Sequence, residues 1–323
     1  QDAYVLGVDK PLEEFTGVLF AVIHKLNDVE DKWIVVPEGA SLTKEEIIKD
    51  ICMRNYDNNN LRYDVIHLGE VIEKIKDDVK LRESSSFRKK ENAFFIESPR
   101  LLKDAYLSGV EILMLFVTEE AKEKYSDYVD DALKSAKKSF VITEEIAEKL
   151  ADTKSTQGVF AVVTMLDKFA NISKIKYYGK YVALEEISNP SNFGAICRTA
   201  EAVGLNGIII KGGCDVYNPK VLRAAMGALF RLDVLVTEDL ISLLEELKEN
   251  NMIVYGSVPD ANAEKITDIN KSQGMVCVIG NEGNGISDEV KEVSQLVTIP
   301  MNGYAESLNA AAAATIIMWE MMR

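Results

Sequence analysis

The chain has 323 residues, 47% of them hydrophobic, and a formal charge of -15 at pH 7. That length and apolar content suit two or three packed domains, and no apolar run reaches the roughly 18 residues a membrane-spanning helix needs. The acidic balance opposes bulk adhesion to nucleic acid, because phosphate binding depends on cationic neutralisation, so any such contact has to be local.

The first residues, Gln1-Asp-Ala-Tyr4, lack the basic start and cleavage pattern of a secretory signal, and the cytoplasm is the expected compartment. Cys52, Cys197, Cys214 and Cys277 lie far apart with no CxxC pair. They read as small buried hydrophobes rather than a zinc knuckle or a disulfide framework, and no metal is expected.

In chain order, Tyr4–Gly7, Val18–His24 and Trp33–Pro37 are β-rich runs, and Ser41-Leu-Thr43 offers an N-cap to a short helix. The polar cluster Asn58-Asn-Asn60 interrupts the pattern, which places a domain boundary between Tyr56 and Asp78. From about Val79 to Leu166 helix and strand alternate. Phe94–Ile96, Ile112–Val117 and Val159–Val163 read as strands, with Ser98–Leu107 and Ala121–Ala136 as helices. Asp167–Tyr178 is the expected linker. Beyond it, strands are expected at Tyr181–Glu185, Gly207–Ile210, Met252–Tyr255, Met275–Ile279 and Val297–Pro300, with a helix over Asp239–Asn250. The fold class is therefore α/β, ending in a mostly parallel sheet.

One cationic stretch offers a local RNA contact: Lys80, Arg82, Arg88, Lys89, Lys90, Arg100 and Lys103. Read alone, it suits a solvated helix face better.

Three signatures follow strands of the last domain, and loops at the carboxyl edge of a parallel sheet are where α/β proteins place their sites. The first, Asn189-Pro-Ser-Asn192-Phe-Gly194-Ala-Ile-Cys-Arg198, makes a turn and then a helix carrying an arginine. Arg198 suits a bidentate clamp on a phosphate, with a structural ion pair to Glu186 or Glu201 as the alternative. In the second, Gly280-Asn-Glu282-Gly-Asn-Gly285 leaves an apolar strand as a glycine-rich turn. It has neither the GxGxxG spacing nor a P-loop lysine. The third runs from Ile299-Pro-Met301 to Ser307-Leu-Asn309, where Ser307 is the expected N-cap of the final helix and Asn309 can present an amide. His24 and His67 are the only histidines, so histidine acid–base chemistry within this domain is excluded.

In this order and spacing, the signatures resemble the SpoU or TrmH family of S-adenosylmethionine-dependent RNA ribose 2′-O-methyltransferases. The resemblance implies a trefoil-knot domain over 178–323 and a small α/β RNA-binding domain over 73–168, the latter carried by Phe95-Ile-Glu-Ser-Pro-Arg100 and Asp152-Thr-Lys-Ser-Thr-Gln157-Gly158. It implies a homodimer formed through the knot domain. Arg198, Asn192, Glu282, Ser307 and Asn309 would form the catalytic group, and Gly280, Ile299, Met301 and Leu308 would line the S-adenosylmethionine pocket. Arg82, Arg88, Lys89, Lys90 and Arg100 would meet RNA, ribosomal or transfer. Ala310 stands where many relatives have a second serine, and Ser98 where relatives have glycine.

The first 72 residues have a separate likeness, to the later half of a family I inorganic pyrophosphatase, through Asp2-Ala-Tyr-Val-Leu-Gly7 and Asn27-Asp-Val-Glu30-Asp31-Lys32-Trp-Ile-Val-Val-Pro37. On that reading the chain begins partway through the domain and lacks most of its acidic motif, so magnesium-dependent pyrophosphate hydrolysis is not expected. A catalytically inactive RNA-binding protein is the other alternative to the methyltransferase.

Overall fold

The computed structural model describes residues 80–153, 155–166 and 175–323, and upstream of them only four strand segments. Those are β1 (Tyr4–Val5), β2 (Val18–Lys25), β3 (Lys32–Pro37) and β4 (Tyr63–Val65), ordered β1-β3-β2-β4 in one sheet. The helix expected after Ser41, the expected boundary, the acidic residues Asp2, Glu30 and Asp31, and positions 167–174 of the expected linker lie outside the described residues.

The second sheet holds β5 (Ala93–Glu97), β6 (Ile112–Thr118), β7 (Ser139–Ile142) and β8 (Val159–Thr164) in the order β5-β8-β6-β7. Its helices are α1 (Ser85–Glu91), α2 (Pro99–Leu107), α3 (Glu119–Lys124), α4 (Ser126–Ser135) and α5 (Glu144–Leu150). Side-chain alternation along β5 sends Phe94 and Ile96 to one apolar cluster and Ala93 and Phe95 to another, as a strand covered on both faces requires. The single helix expected over Ala121–Ala136 is two, because Tyr125 leaves helical geometry at φ -116°, ψ 27°.

Ser98 begins α2 with its Oγ accepting the Leu101 N–H at 3.2 Å, but it does so at φ 143°. That region is nearly reserved for glycine, so the serine caps the helix from a strained backbone. Serine therefore suits this turn less well than the glycine that relatives have there.

The third sheet is wholly parallel, in the order β11-β10-β9-β14-β12-β15-β13. Its strands and helices run β9 (Lys180–Glu185), α6 (Pro190–Val203), β10 (Gly207–Lys211), α7 (Pro219–Ala225), α8 (Ala228–Arg231), β11 (Asp233–Val236), α9 (Leu240–Glu249), β12 (Ile253–Ser257), β13 (Glu264–Lys265), β14 (Met275–Ile279), α10 (Asp288–Val293), β15 (Gln295–Thr298) and α11 (Ala310–Met322). On β14, Met275, Cys277 and Ile279 join one cluster while Val276 and Val278 join the one built on Leu243, Leu244 and Leu247. Helices therefore cover both faces. Gly194 lets α6 lie against α7, since a Cβ there would overlap the Ala224 side chain and crowd the Val221 carbonyl.

Residues 80–166 and 175–323 share one apolar cluster, running from Phe94, Leu102 and Leu115 to Phe193, Leu222 and Phe230. Phe94 is the wedge, with its ring centroid 4.5 Å from Tyr217 and 6.2 Å from Phe230. Polar contacts also cross the seam. The Leu166 N–H donates to Tyr217 Oη at 3.0 Å, Arg223 pairs with Asp152 at 2.5 Å, and Arg231 with Asp104 at 2.9 Å. Among the described residues no helix is long and apolar enough to cross a membrane.

Candidate active site

Because the third sheet is parallel, the carboxyl ends of β9, β10, β14 and β15 meet at one edge, and the three signatures meet there too. β9 delivers residues 186–189. Asn189 then caps α6, its Oδ1 accepting from Ser191 N at 2.9 Å and Asn192 N at 3.3 Å, with Pro190 filling the first helical position where no N–H is needed. β14 delivers the 280–285 turn. A Cβ on Gly280 would overlap the Gly285 main chain, so only glycine allows the turn to fold back on itself. Asn281 ties this turn to the first strand by donating from Nδ2 to Glu186 O at 2.8 Å.

Glu282 is the junction of the edge. One carboxylate oxygen accepts from Ser188 N at 3.2 Å and Ser188 Oγ at 3.1 Å, and the other from Asn189 N at 3.2 Å and Asn192 Nδ2 at 3.0 Å. Burial pushes the Glu282 carboxyl up, but the Asn192 amide and the main-chain N–H groups of Glu282, Ser188 and Asn189 outweigh it and hold it down at about 2. The anion is thus the form the loops are built around.

Asn192 relays this junction onward. Its Oδ1 accepts from Asn309 Nδ2 at 3.1 Å, so Glu282, Asn192 and Asn309 form one hydrogen-bonded row joining all three signatures. An amide suits the middle position because it donates to the carboxylate and accepts from the other amide. Asn309 in turn caps α11, its Oδ1 accepting from Ala311 N at 3.0 Å and Ala312 N at 3.3 Å. This corrects the expected cap: Ser307 lies two residues before it, exposed, in the loop rather than at the helix start.

Arg198 is exposed on α6. Both alternative partners are taken: Glu201 accepts from Arg231 Nε at 2.9 Å, and Glu186 pairs with Lys211 at 3.6 Å. Among the described residues Arg198 has no hydrogen-bond or ion-pair partner. Its guanidinium is left for a ligand or solvent.

Of the residues expected to face the cofactor, Gly280 lies in the turn after β14. Ile299, Met301 and Leu308 lie on the single stretch between β15 and α11. Ile299 packs against the main core and Leu308 is 38% exposed. Exposed, irregular backbone with apolar side chains borders the polar row.

The expected RNA-facing cations divide. Lys89, Lys90 and Arg100 are exposed. Arg82 is turned inward, donating from Nη1 to Leu150 O at 3.0 Å and Ala151 O at 2.9 Å. Arg88 is a plain correction: it is 2% exposed, and its Nε and Nη2 donate to Asp215 while Nη1 donates to Leu81 O and Arg82 O. It is a structural cation, and the pattern of helix α1 gave no hint of an acceptor 127 residues away.

The sequence reading also missed Glu185. It is buried at the end of β9, where it accepts from Ser287 N at 2.9 Å and Ser287 Oγ at 2.7 Å and holds α10 to the sheet. An acidic residue closing an apolar strand was the available signal.

The domain is α/β with a wholly parallel sheet, an amide–carboxylate row at its carboxyl edge and an exposed arginine on α6. The chain matches the SpoU rRNA Methylase family over residues 179–319 and the MRM3-like substrate binding domain over residues 73–161. It is 30% identical over 251 residues to the 23S rRNA (guanosine(2553)-2′-O)-methyltransferase RlmP of Bacillus subtilis, covering 77% of this chain and 96% of that protein. The chain belongs to the SpoU methylase family. Its fold is similar to that of the SpoU methyltransferase AviRb from Streptomyces viridochromogenes, at 24% identity and a TM-score of 0.68 over 77% of this chain and 96% of AviRb. It is likewise similar to an AdoMet-bound rRNA methyltransferase from Sinorhizobium meliloti, at 26% identity and a TM-score of 0.66, over 77% and 93% of the two chains.

Proposed function

We propose that this protein transfers a methyl group from S-adenosylmethionine to the ribose 2′-hydroxyl of a nucleotide in ribosomal or transfer RNA. The observation that carries the reading is the row Glu282–Asn192–Asn309, which joins the three signatures around an edge where Arg198 has no partner. Likeness to RlmP, itself a ribose 2′-O-methyltransferase, supports the choice of the 2′-oxygen.

The residues present suit S-adenosylmethionine. Its adenosine and methionine portions need main-chain hydrogen-bonding groups and an apolar wall, and the 280–285 and 299–308 segments offer both, through Gly280, Ile299, Met301 and Leu308. When bound, it supplies an electrophilic methyl on a sulfonium. The protein's own task is alignment. Arg198 holds the target phosphate and the adjacent ribose, its charge needing no protonation step. Asn192, in the first turn of α6, accepts from Asn309, the cap of α11, and Glu282 ties the 186–189 loop to its own 280–285 turn. Ser307, exposed beside Leu308, is a hydroxyl contact for the nucleotide or cofactor. The 2′-hydroxyl proton would pass to solvent water, which reaches this exposed edge.

Residues 73–168 would present the RNA, through Lys89, Lys90 and Arg100, and residues 178–323 would hold the chemistry. The path of the last segment favours a knot. It enters β14 on one side of β12, returns along β15 on the other, and then runs back as α11 to pack on α6. A homodimer formed through this domain, in the cytoplasm, completes the reading.

Incubating the protein with methyl-labelled S-adenosylmethionine and transcribed ribosomal RNA tests it. Label should enter RNA with wild type and fall at least about 100-fold with Arg198→Ala, the scale set by removing a group that aligns or stabilises the transition state. Unchanged transfer by that variant would remove Arg198 from the site.

A further inference from the structure

Two arginines at the domain seam reach the machinery of the edge without belonging to it. Arg88, on α1, donates from both Nε and Nη2 to Asp215 Oδ2, while Asp215 Oδ1 accepts from Tyr217 N at 3.0 Å. Asp215 ends the 211–215 loop. In that loop Gly213 N donates to Glu186 Oε2 at 3.2 Å and Cys214 N to Ile187 O at 2.9 Å, immediately before Ser188 and Asn189, which hold Glu282. Arg231 forms a second bridge. Its Nη1 pairs with Asp104 on α2 at 2.9 Å, and its Nε with Glu201 on α6 at 2.9 Å, one turn beyond Arg198. Gly227 makes room for this bridge, because a Cβ there would overlap the Asp104 carboxylate.

We infer that Arg88–Asp215 and Asp104–Arg231–Glu201 are positioning contacts that fix the angle of the RNA-presenting domain against the reacting edge. The inference rests on the methyltransferase reading for its consequence, though not for its geometry. The Phe94, Tyr217 and Phe230 contacts hold the two parts together, but apolar burial has no strong direction. Guanidinium–carboxylate hydrogen bonds do have one, and the buried Arg88–Asp215 pair is a poor source of net stability, which leaves orientation as its contribution. Each bridge ends on a different part of the site: one on the loops under Glu282, the other on the helix of Arg198. An RNA held by the first domain then meets the edge at a fixed offset, as two linked binding modules meet a ligand at high effective concentration.

The test uses the full chain with Asp215→Asn, which keeps an acceptor for Tyr217 N, and Arg231→Met, whose side chain is partly exposed and whose loss leaves the core intact. Amide hydrogen exchange should quicken about tenfold in peptides spanning 186–189 and 211–215 for Asp215→Asn, with β14 unchanged. With transcribed ribosomal RNA, KM for RNA should rise about tenfold in both variants while the Kd for S-adenosylmethionine stays within twofold. Exchange and RNA KM both at wild-type values, or cofactor Kd and RNA KM rising together, would overturn the inference. Wild type that transfers no methyl would count against the function, and exchange alone would then decide the lock.

Discussion

On α6 Arg198 stands exposed with no partner among the described residues, whereas at the domain seam Arg88 is buried and gives two hydrogen bonds to Asp215. Both are arginines on helices within polar, motif-like stretches. What separates them is whether the fold supplies a carboxylate, and it supplies Asp215 to one while Arg231 and Lys211 occupy the candidates near the other. An exposed arginine with no protein partner has its donors open to solvent or a ligand; an arginine with its donors filled is part of the frame.

Substitutions should break this contrast in opposite senses. Arg198→Ala should lower methyl transfer by about 100-fold or more, with a melting temperature close to wild type, since no protein contact is lost. Phe94→Ala at the seam should do the reverse first: calorimetry should show about 3–5 kcal/mol of lost stability, from emptying a fully buried aromatic site. Asn309→Ala should cost about 1 kcal/mol by uncapping α11, while Ser307→Ala stays within about 0.5 kcal/mol. Equal losses from the two would return the cap to Ser307. Ser98→Gly should stabilise the protein by about 1 kcal/mol, the relief of a positive φ exceeding the small loss of a capping hydroxyl.

Titration offers a gentler probe of the edge. The folded Glu282 carboxyl sits at about 2, below its ordinary value of 4.5, so its stabilising bonds are fully present above pH 4.5 and are lost as pH falls toward about 2. Monitored by exchange of the Ser188 and Asn189 amides, this acid-side loosening should be absent from Glu282→Gln.

Elements bounded by clear punctuation were legible in the sequence. β14 runs from Met275 to Ile279 as expected, because its apolar residues sit between Gly274 and Gly280 and both faces are buried. The short strands β7, β11 and β13 were not, since each has two to four residues at or near a sheet edge and little apolar pattern. The helix start at Asn189-Pro190 and the glycine-rich turn at 280–285 were legible from Asn, Gly and Pro placement, which local geometry fixes. Arg88, Glu185 and the choice between Ser307 and Asn309 were not, because each depends on partners distant in sequence or on where a loop stops. Local chemistry writes itself into neighbouring residues; docking does not.

The most direct test of the central claim is nucleoside mass spectrometry of ribosomal and transfer RNA treated with the protein and S-adenosylmethionine. The account predicts a 2′-O-methylated nucleoside with wild type and its absence with Arg198→Ala. A methyl group found on a base, or none in RNA despite bound cofactor, would contradict it.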